Sequence, residues 1–242
     1  MNDRRLVLAA CLAALSLPGF AAERTVRGSG RIATERRAAS GFERIAIGGA
    51  FEVELRQGSA EGVEMSGDDN LLALIETRVE GTIGSRTLKI APKPDVNLDP
   101  TQPVRIRIDL VHLVALDLGG ASKVSATGLH VAKLAVAIGG SGGVMLAGLD
   151  AERLSVSVGG SGRVSADGRS KSASISIAGS GQGALAGLAV DDVAIDIAGS
   201  GSAEVQANQR LRIAIAGSGR VRHTGAAVPS VSIVGSGDVR RG

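Results

Sequence analysis

An all-β, right-handed parallel β-helix with about 18–20 residues per coil is the fold this sequence predicts, and three observations carry it. A Gly-Ser-Gly tripeptide recurs along the second half of the chain. Its middle serines, Ser141, Ser161, Ser180, Ser200, Ser218 and Ser236, lie 20, 19, 20, 18 and 18 residues apart. Ahead of each tripeptide apolar residues alternate with small or polar ones, as in Leu154, Val156 and Val158, which is the period of a half-buried strand. Finally, 242 residues with 35 glycines, three Phe and neither Trp nor Tyr can build only a thin, aliphatic core.

The first strand of each coil holds its inward residues seven, five and three positions before the serine: Leu134, Val136 and Ile138; Ala173, Ile175 and Ile177; Leu211, Ile213 and Ile215. A second, shorter strand points inward three positions after it, at Val124, Val144, Val164 and Val221, and a further glycine closes it at Gly128, Gly148, Gly168, Gly187 and Gly225. Two strands and two corners per repeat describe one coil, and the right hand follows from the handedness of parallel crossovers. Ala121, in Gly119-Gly120-Ala121, continues the series upstream.

Stacking explains the corner. Neighbouring coils lie about 4.8 Å apart, so each corner residue meets its own copy above and below. Gly140-Ser141-Gly142, Gly160-Ser161-Gly162, Gly179-Ser180-Gly181, Gly199-Ser200-Gly201, Gly217-Ser218-Gly219 and Gly235-Ser236-Gly237 are therefore assigned to a structural corner, where a side chain would repeat its clash at every level. The serines are expected as an outward ladder, each hydroxyl free to bond nearby backbone or the next serine.

Upstream, Val26-Arg27-Gly28-Ser29-Gly30-Arg31-Ile32 and Ile47-Gly48-Gly49-Ala50-Phe51-Glu52-Val53 repeat the corner pattern, so the solenoid is expected to start early. Between Ala50 and Ala121 lie strand-like VEMS, LKIA and VRIRIDL, the loop PKPDVNLDPTQP, and DDNLLALIETRVE. The last is read as one short helix capped by Asp69 or Asn70. Wider, irregular coils are expected here, forming the N-terminal cap that a repeat stack needs.

Arg4 and Arg5 precede an apolar run from Leu6 to Leu17, and Gly19-Phe20-Ala21 offers small residues to a signal peptidase. Residues 1–21 are thus expected to be an export signal, 22–37 a leader and 38–242 the β-helix, with irregular coils over 38–112 and regular ones over 113–242. The location is the periplasm, the outer-membrane surface or the medium. Leu8-Ala9-Ala10-Cys11 gives an alternative, a lipoprotein anchored at Cys11. Cleavage after Ala21 leaves 25 basic against 23 acidic residues and no cysteine. That near-balance gives no nucleic-acid footprint, and no later apolar run is long enough to span a bilayer.

Phe42-Glu43-Arg44-Ile45, the FEVELRQG strand, DDNLL, RTLKI and the later GSG coils together resemble the bacterial head GIN domain family, labelled as auto-transporter adhesins. The likeness covers roughly residues 38–238. It implies an exported β-helical protein of unknown biochemical role, and it transfers no catalytic residue.

A search for chemistry assigns no catalytic, cofactor or metal residue. Four positions before each serine the outward residues are Asp117, Ala137, Ser157, Ser176, Asp196, Ala214 and Ser232. The two aspartates stand four coils, about 19 Å, apart, whereas glycosidase carboxylates sit roughly 5–9.5 Å apart. Asp68-Asp69 is read as a helix start and Asp191-Asp192 as an exposed corner, while His112, His130 and His223 are expected at the surface or at strand edges. A calcium β-roll is excluded because Val164 stands where its ligand aspartate belongs.

What stands out instead is a flat face: Ala135, Ala137, Ser155, Ser157, Ser174, Ser176, Ala194, Ala214 and Ser232 form two outward columns of small residues. This is a candidate packing face for a protein partner or for self-association. The expected function is a non-enzymatic, exported envelope or secreted module, adhesin-like or scaffolding, with a glycan as a further possible partner. The alternative is a carbohydrate-binding or carbohydrate-active β-helix with its site in residues 60–112, which a cleft holding three or more acids would favour.

Overall fold

The computed structural model describes residues 24–82 and 84–242. The expected export signal, its cleavage site and the Cys11 anchor lie outside the described residues. Strands make up 72% of the structure, in stacked parallel coils of about six turns.

The N-terminal part contains β1 (Arg24–Arg27), β2 (Ile32–Arg37), β3 (Arg44–Gly49), β4 (Glu52–Gln57), β5 (Gly62–Asp68), the one-turn helix α1 (Asp69–Leu72), β6 (Ile75–Glu80), β7 (Thr87–Pro92), β8 (Val96–Asp99) and β9 (Arg105–Leu110). The regular coils follow as β10 (Ala115–Gly120), β11 (Lys123–Thr127), β12 (His130–Gly140), β13 (Gly143–Gly160), β14 (Arg163–Gly179), β15 (Gln182–Gly199), β16 (Ser202–Gly217), β17 (Arg220–Thr224), β18 (Pro229–Gly235) and β19 (Asp238–Arg241).

The predicted columns are the observed register. Leu134 pairs with Leu154, Leu154 with Ala173, Ala173 with Val193 and Val193 with Leu211, and all are buried in one continuous core. A second inward column runs along the short strands through Ala126, Leu146, Ala166, Leu185, Val205 and His223.

The corner glycines are required for two different reasons. The first glycine of each tripeptide bends the chain with positive φ, as at Gly199 (φ 120°). The third has an ordinary φ but no room: a Cβ on Gly201 would lie 2.6 Å from Ile177 Cγ2 and 2.9 Å from the Gly181 carbonyl. The six corner serines are exposed, and backbone holds them. Ser161 N–H donates to Gly140 O, and Ser200 N–H to Gly179 O. No hydroxyl-to-hydroxyl ladder links them among the described residues.

The cap departs from the expected order. The coil of β3 and β4 stacks directly on that of β10 and β11, with Gly49 against Gly120 and Val53 against Val124. The intervening segment does not sit between them as wider coils. It folds beneath β3 and β4 instead, with β7 parallel to β3 and β9 parallel to β4. Antiparallel strands then close this end: β6 on β7, β5 on β9 and β2 on β5.

Two local readings are corrected as well. Gly28-Ser29-Gly30 forms no coil, because β1 pairs with β8 in a separate two-stranded sheet. The expected helix stops at Leu72, after which Ile75, Thr77 and Val79 alternate with charged residues and form β6, as β-branched residues favour. Arg37 holds the turn, donating to the carbonyls of Leu72 and Ile75.

Candidate functional site

Two surfaces of the rod have shape and chemistry of their own. The first is the small-residue face. Ala135, Ser155, Ser174 and Ala194 form one column; Ala137, Ser157, Ser176, Asp196, Ala214 and Ser232 form the next. A third column of Gly139, Gly159, Ala178, Ala198 and Ala216 flanks them. Shallow furrows of about 260 Å³ and 600 Å³ follow this face, the first beside Ala46, Ala91 and Asp117, the second from Ser157 to Ser232.

The second surface, a groove of about 1360 Å³, was not anticipated. It lies over the short strands, where β4 and β9 turn Val53, Leu55 and Ile106 inward and Glu52, Glu54, Arg56, Arg105 and Arg107 outward. Its N-terminal wall is β5, whose Glu64 and Ser66 face Arg107 and Arg105 across the antiparallel pairing. Its floor continues over Ser125, Gly143, Met145 and Ser165. Part of this groove falls in the 60–112 region, and it holds three glutamates.

Those glutamates are not arranged for acid–base work. Glu52 lies 3.3 Å from Arg105, Glu54 is 2.9 Å from Arg56 and 3.4 Å from Arg107, and Glu64 is 2.9 Å from Arg36 and 3.1 Å from Arg107. Hydrogen bonds from Arg56 and Arg107 hold the Glu54 carboxyl below the usual range, and a bond from Arg36 does the same for Glu64. General acid catalysis in glycoside hydrolysis needs the opposite, a carboxyl kept protonated.

Asp68 proves more than a helix start. It is buried, and its carboxylate accepts from Gly30 N–H, Thr101 N–H and Thr101 Oγ1 at 2.7–2.9 Å. Burial alone would raise its pKa, but these bonds outweigh it and hold the carboxyl below its ordinary value. Asp69 and Asn70 lie inside α1 and take the backbone and hydroxyl of Ser29. Together these contacts tie the N-terminal strands and the Thr101 loop to the cap.

Asp192 pairs with Arg210 on the next coil, and Asp150 and Glu152 pair likewise with Arg169 and Lys171, so these acids brace the register. His112 and His130 are exposed as expected. His223 is not: it sits in the inward column at 5% exposure, and its Nδ1 has no hydrogen-bond partner among the described residues. No cluster of metal-ligating side chains occurs among the described residues.

These features define a capped β-solenoid with two distinct surfaces, one flat and small, the other concave and charged. The chain belongs to the head GIN domain family, described as "Putative auto-transporter adhesin, head GIN domain", whose pattern matches residues 41–227. No curated protein matches it. Among solved structures it is similar to a "putative lipid binding protein" from Parabacteroides distasonis ATCC 8503, at 26% identity and a TM-score of 0.76, covering 90% of this chain and 100% of that one. A "putative adhesin" from Bacteroides fragilis NCTC 9343 has the same fold, at 22% identity and a TM-score of 0.83 over 89% of this chain and 99% of that one. Another from Parabacteroides merdae ATCC 43184 matches at 22% identity and a TM-score of 0.71, over 90% and 99%. No helix among the described residues is long and apolar enough to cross a membrane.

Proposed function

We propose that the chain is an exported, non-enzymatic, adhesin-like module of the cell envelope that docks a second copy of itself through the Ala/Ser face. The observation that carries this reading is the continuity of that face. Its central column runs in register over nine strands, from Lys89 on β7 to Ser232 on β18, and Ala or Ser fills six of the nine positions, Lys89, Asp117 and Asp196 being the others. A solvated sheet face normally carries long polar side chains, whereas small ones let another sheet approach closely.

Charge complementarity selects a second copy as the occupant. Asp196 and Arg212 lie on adjacent coils at the C-terminal half of the face, and neither forms an ion pair within 4 Å among the described residues. A two-fold axis between them would set each against the other residue of the second copy. At the rise and spacing of a sheet the face measures roughly 13 Å by 38 Å, about 500 Å² per copy. A contact burying roughly 1,000 Å² in total lies at the low end for specific interfaces, which fits a transient dimer.

The carbohydrate-active alternative finds less support, because each glutamate of the groove is tied to arginine. The reading is tested by the mass in solution. Wild type should shift toward a dimer with rising concentration, whereas the Ser157→Arg/Ser176→Arg double variant should remain monomeric with an unchanged β-sheet spectrum, neither residue pointing inward. Equal masses at every concentration would remove the face from the function.

A further inference from the structure

The groove carries a separate inference, resting on a surface other than the dimer face. Five cations and three carboxylates line it. Arg56, Arg105 and Arg107 each hold a glutamate. The remaining two do not: Arg163 donates only to the Gln182 side-chain oxygen, at 2.6 and 2.9 Å, and Lys123 forms no ion pair within 4 Å among the described residues. These two stand in one outward column, two coils apart, with Gly143 between them in register.

Gly143 differs from its neighbours in the coil. A Cβ at Gly140 or Gly142 would meet backbone oxygen at 2.5 or 2.7 Å, but one at Gly143 would meet nothing nearer than Arg163 O at 3.7 Å. Stacking therefore does not demand a glycine here, and its effect is a bare slot between two cations. The exposed corner hydroxyls of Ser141 and Ser161 rim the slot on one side and make no side-chain hydrogen bond among the described residues; Met145, 56% exposed, lies on the other.

We propose that this slot seats a sulfate or phosphate ester of an anionic glycan, the oxyanion lying over Gly143 between Lys123 and Arg163. A tetrahedral oxyanion offers several acceptors, matching an ammonium on one side and a guanidinium on the other. Ser141, Ser161 and Gln182 supply partners for sugar hydroxyls, and Met145 packs against the apolar face of a ring. The groove runs over eight strands from β2 to β15, about 34 Å at sheet spacing, which accommodates an extended chain. Toward its N-terminal end the alternating Arg–Glu pairs are self-neutralising, so anions are selected only at the slot.

Dextran sulfate, with neutral dextran as control, tests the assignment by titration at physiological salt. Wild type binds the sulfated polymer and not the neutral one. Lys123→Ala/Arg163→Ala weakens binding about tenfold or more, whereas Arg220→Ala/Arg222→Ala, equal in charge but outside the groove, leaves it within about twofold. Gly143→Val fills the slot and weakens binding as the first pair does, while melting no lower than wild type. Equal losses in the two double variants would reduce the effect to bulk charge and overturn the site, as would full affinity in Gly143→Val or no binding by wild type. Binding to anionic phospholipid vesicles but not to dextran sulfate, with the same dependence on Lys123 and Arg163, would replace the glycan with a lipid headgroup and overturn the assignment.

Discussion

Replacing Gly201 with alanine puts a single methyl group into the corner stack, and the structure sets what it costs. The new Cβ would lie 2.6 Å from Ile177 Cγ2, about 1 Å inside ordinary carbon–carbon contact. Ile177 is buried, with Val158 and Ile197 of the adjoining coils in register against it, so it cannot swing aside freely. An off-rotamer Ile177 costs about 0.5–1.5 kcal/mol, and overpacking of this kind costs about 1–3 kcal/mol. Lifting the corner instead would stretch the Ser202 N–H bond to Gly181 O, now 3.0 Å. Alanine returns about 0.4–1 kcal/mol by restricting the unfolded chain, which leaves a net loss of about 0.5–2 kcal/mol. Gly143→Ala is the control, since its Cβ would make only ordinary contact, 3.7 Å from Arg163 O, and should stabilise by about 0.4–1 kcal/mol. Urea midpoints for the two variants, compared at unchanged slope, decide the matter. A Gly201→Ala variant as stable as wild type, or a Gly143→Ala variant equally damaged, would refute the stacking argument for the corner.

Two further outcomes follow from buried polar groups. Because the Asp68 carboxyl is held below its unfolded value of about 3.9, it adds stability above that pH and loses it as pH falls through the lower folded value. Wild type should therefore lose melting temperature below about pH 4, while Asp68→Asn should start lower at neutral pH and show a flatter acid decline; parallel acid profiles would separate Asp68 from the effect. His223→Leu should raise the melting temperature, since a buried imidazole nitrogen without a partner costs about 1–3 kcal/mol and the members of its column on the preceding coils, such as Leu185 and Val205, are apolar. A lowered melting temperature would show that the imidazole has a structural partner.

The regular coils were legible because their signal is local and repeated. Alternation identified the inward residues, and equal spacing aligned Ala137, Ser157 and Ser176 into the column that the register contains. The cap was not, because its order depends on pairing across the insertion. The likeness of Ile47-Gly48-Gly49-Ala50 to Leu118-Gly119-Gly120-Ala121 marked two equivalent corners but not that they are neighbours. Ile75–Glu80 was misread because its glutamates and arginine favour helix, while its β-branched residues alternate at the period of a strand. The groove escaped notice since its walls come from separate segments around Glu54, Glu64 and Arg107, which share a face only after β4, β9 and β5 pair. The burial of His223 is legible in the sequence: two residues beyond the inward Val221, it continues the short-strand column of Leu185 and Val205.

The dimer face is the central functional claim, and a charge-swap series measured by sedimentation equilibrium tests it most directly. If two copies pair Asp196 with Arg212 across a two-fold axis, Asp196→Arg and Arg212→Asp should each shift the protein to monomer through like-charge contact. The combined Asp196→Arg/Arg212→Asp variant should restore the wild-type dimer. A wild type that stays monomeric at all concentrations, or a combined variant no better associated than either single one, would contradict the account.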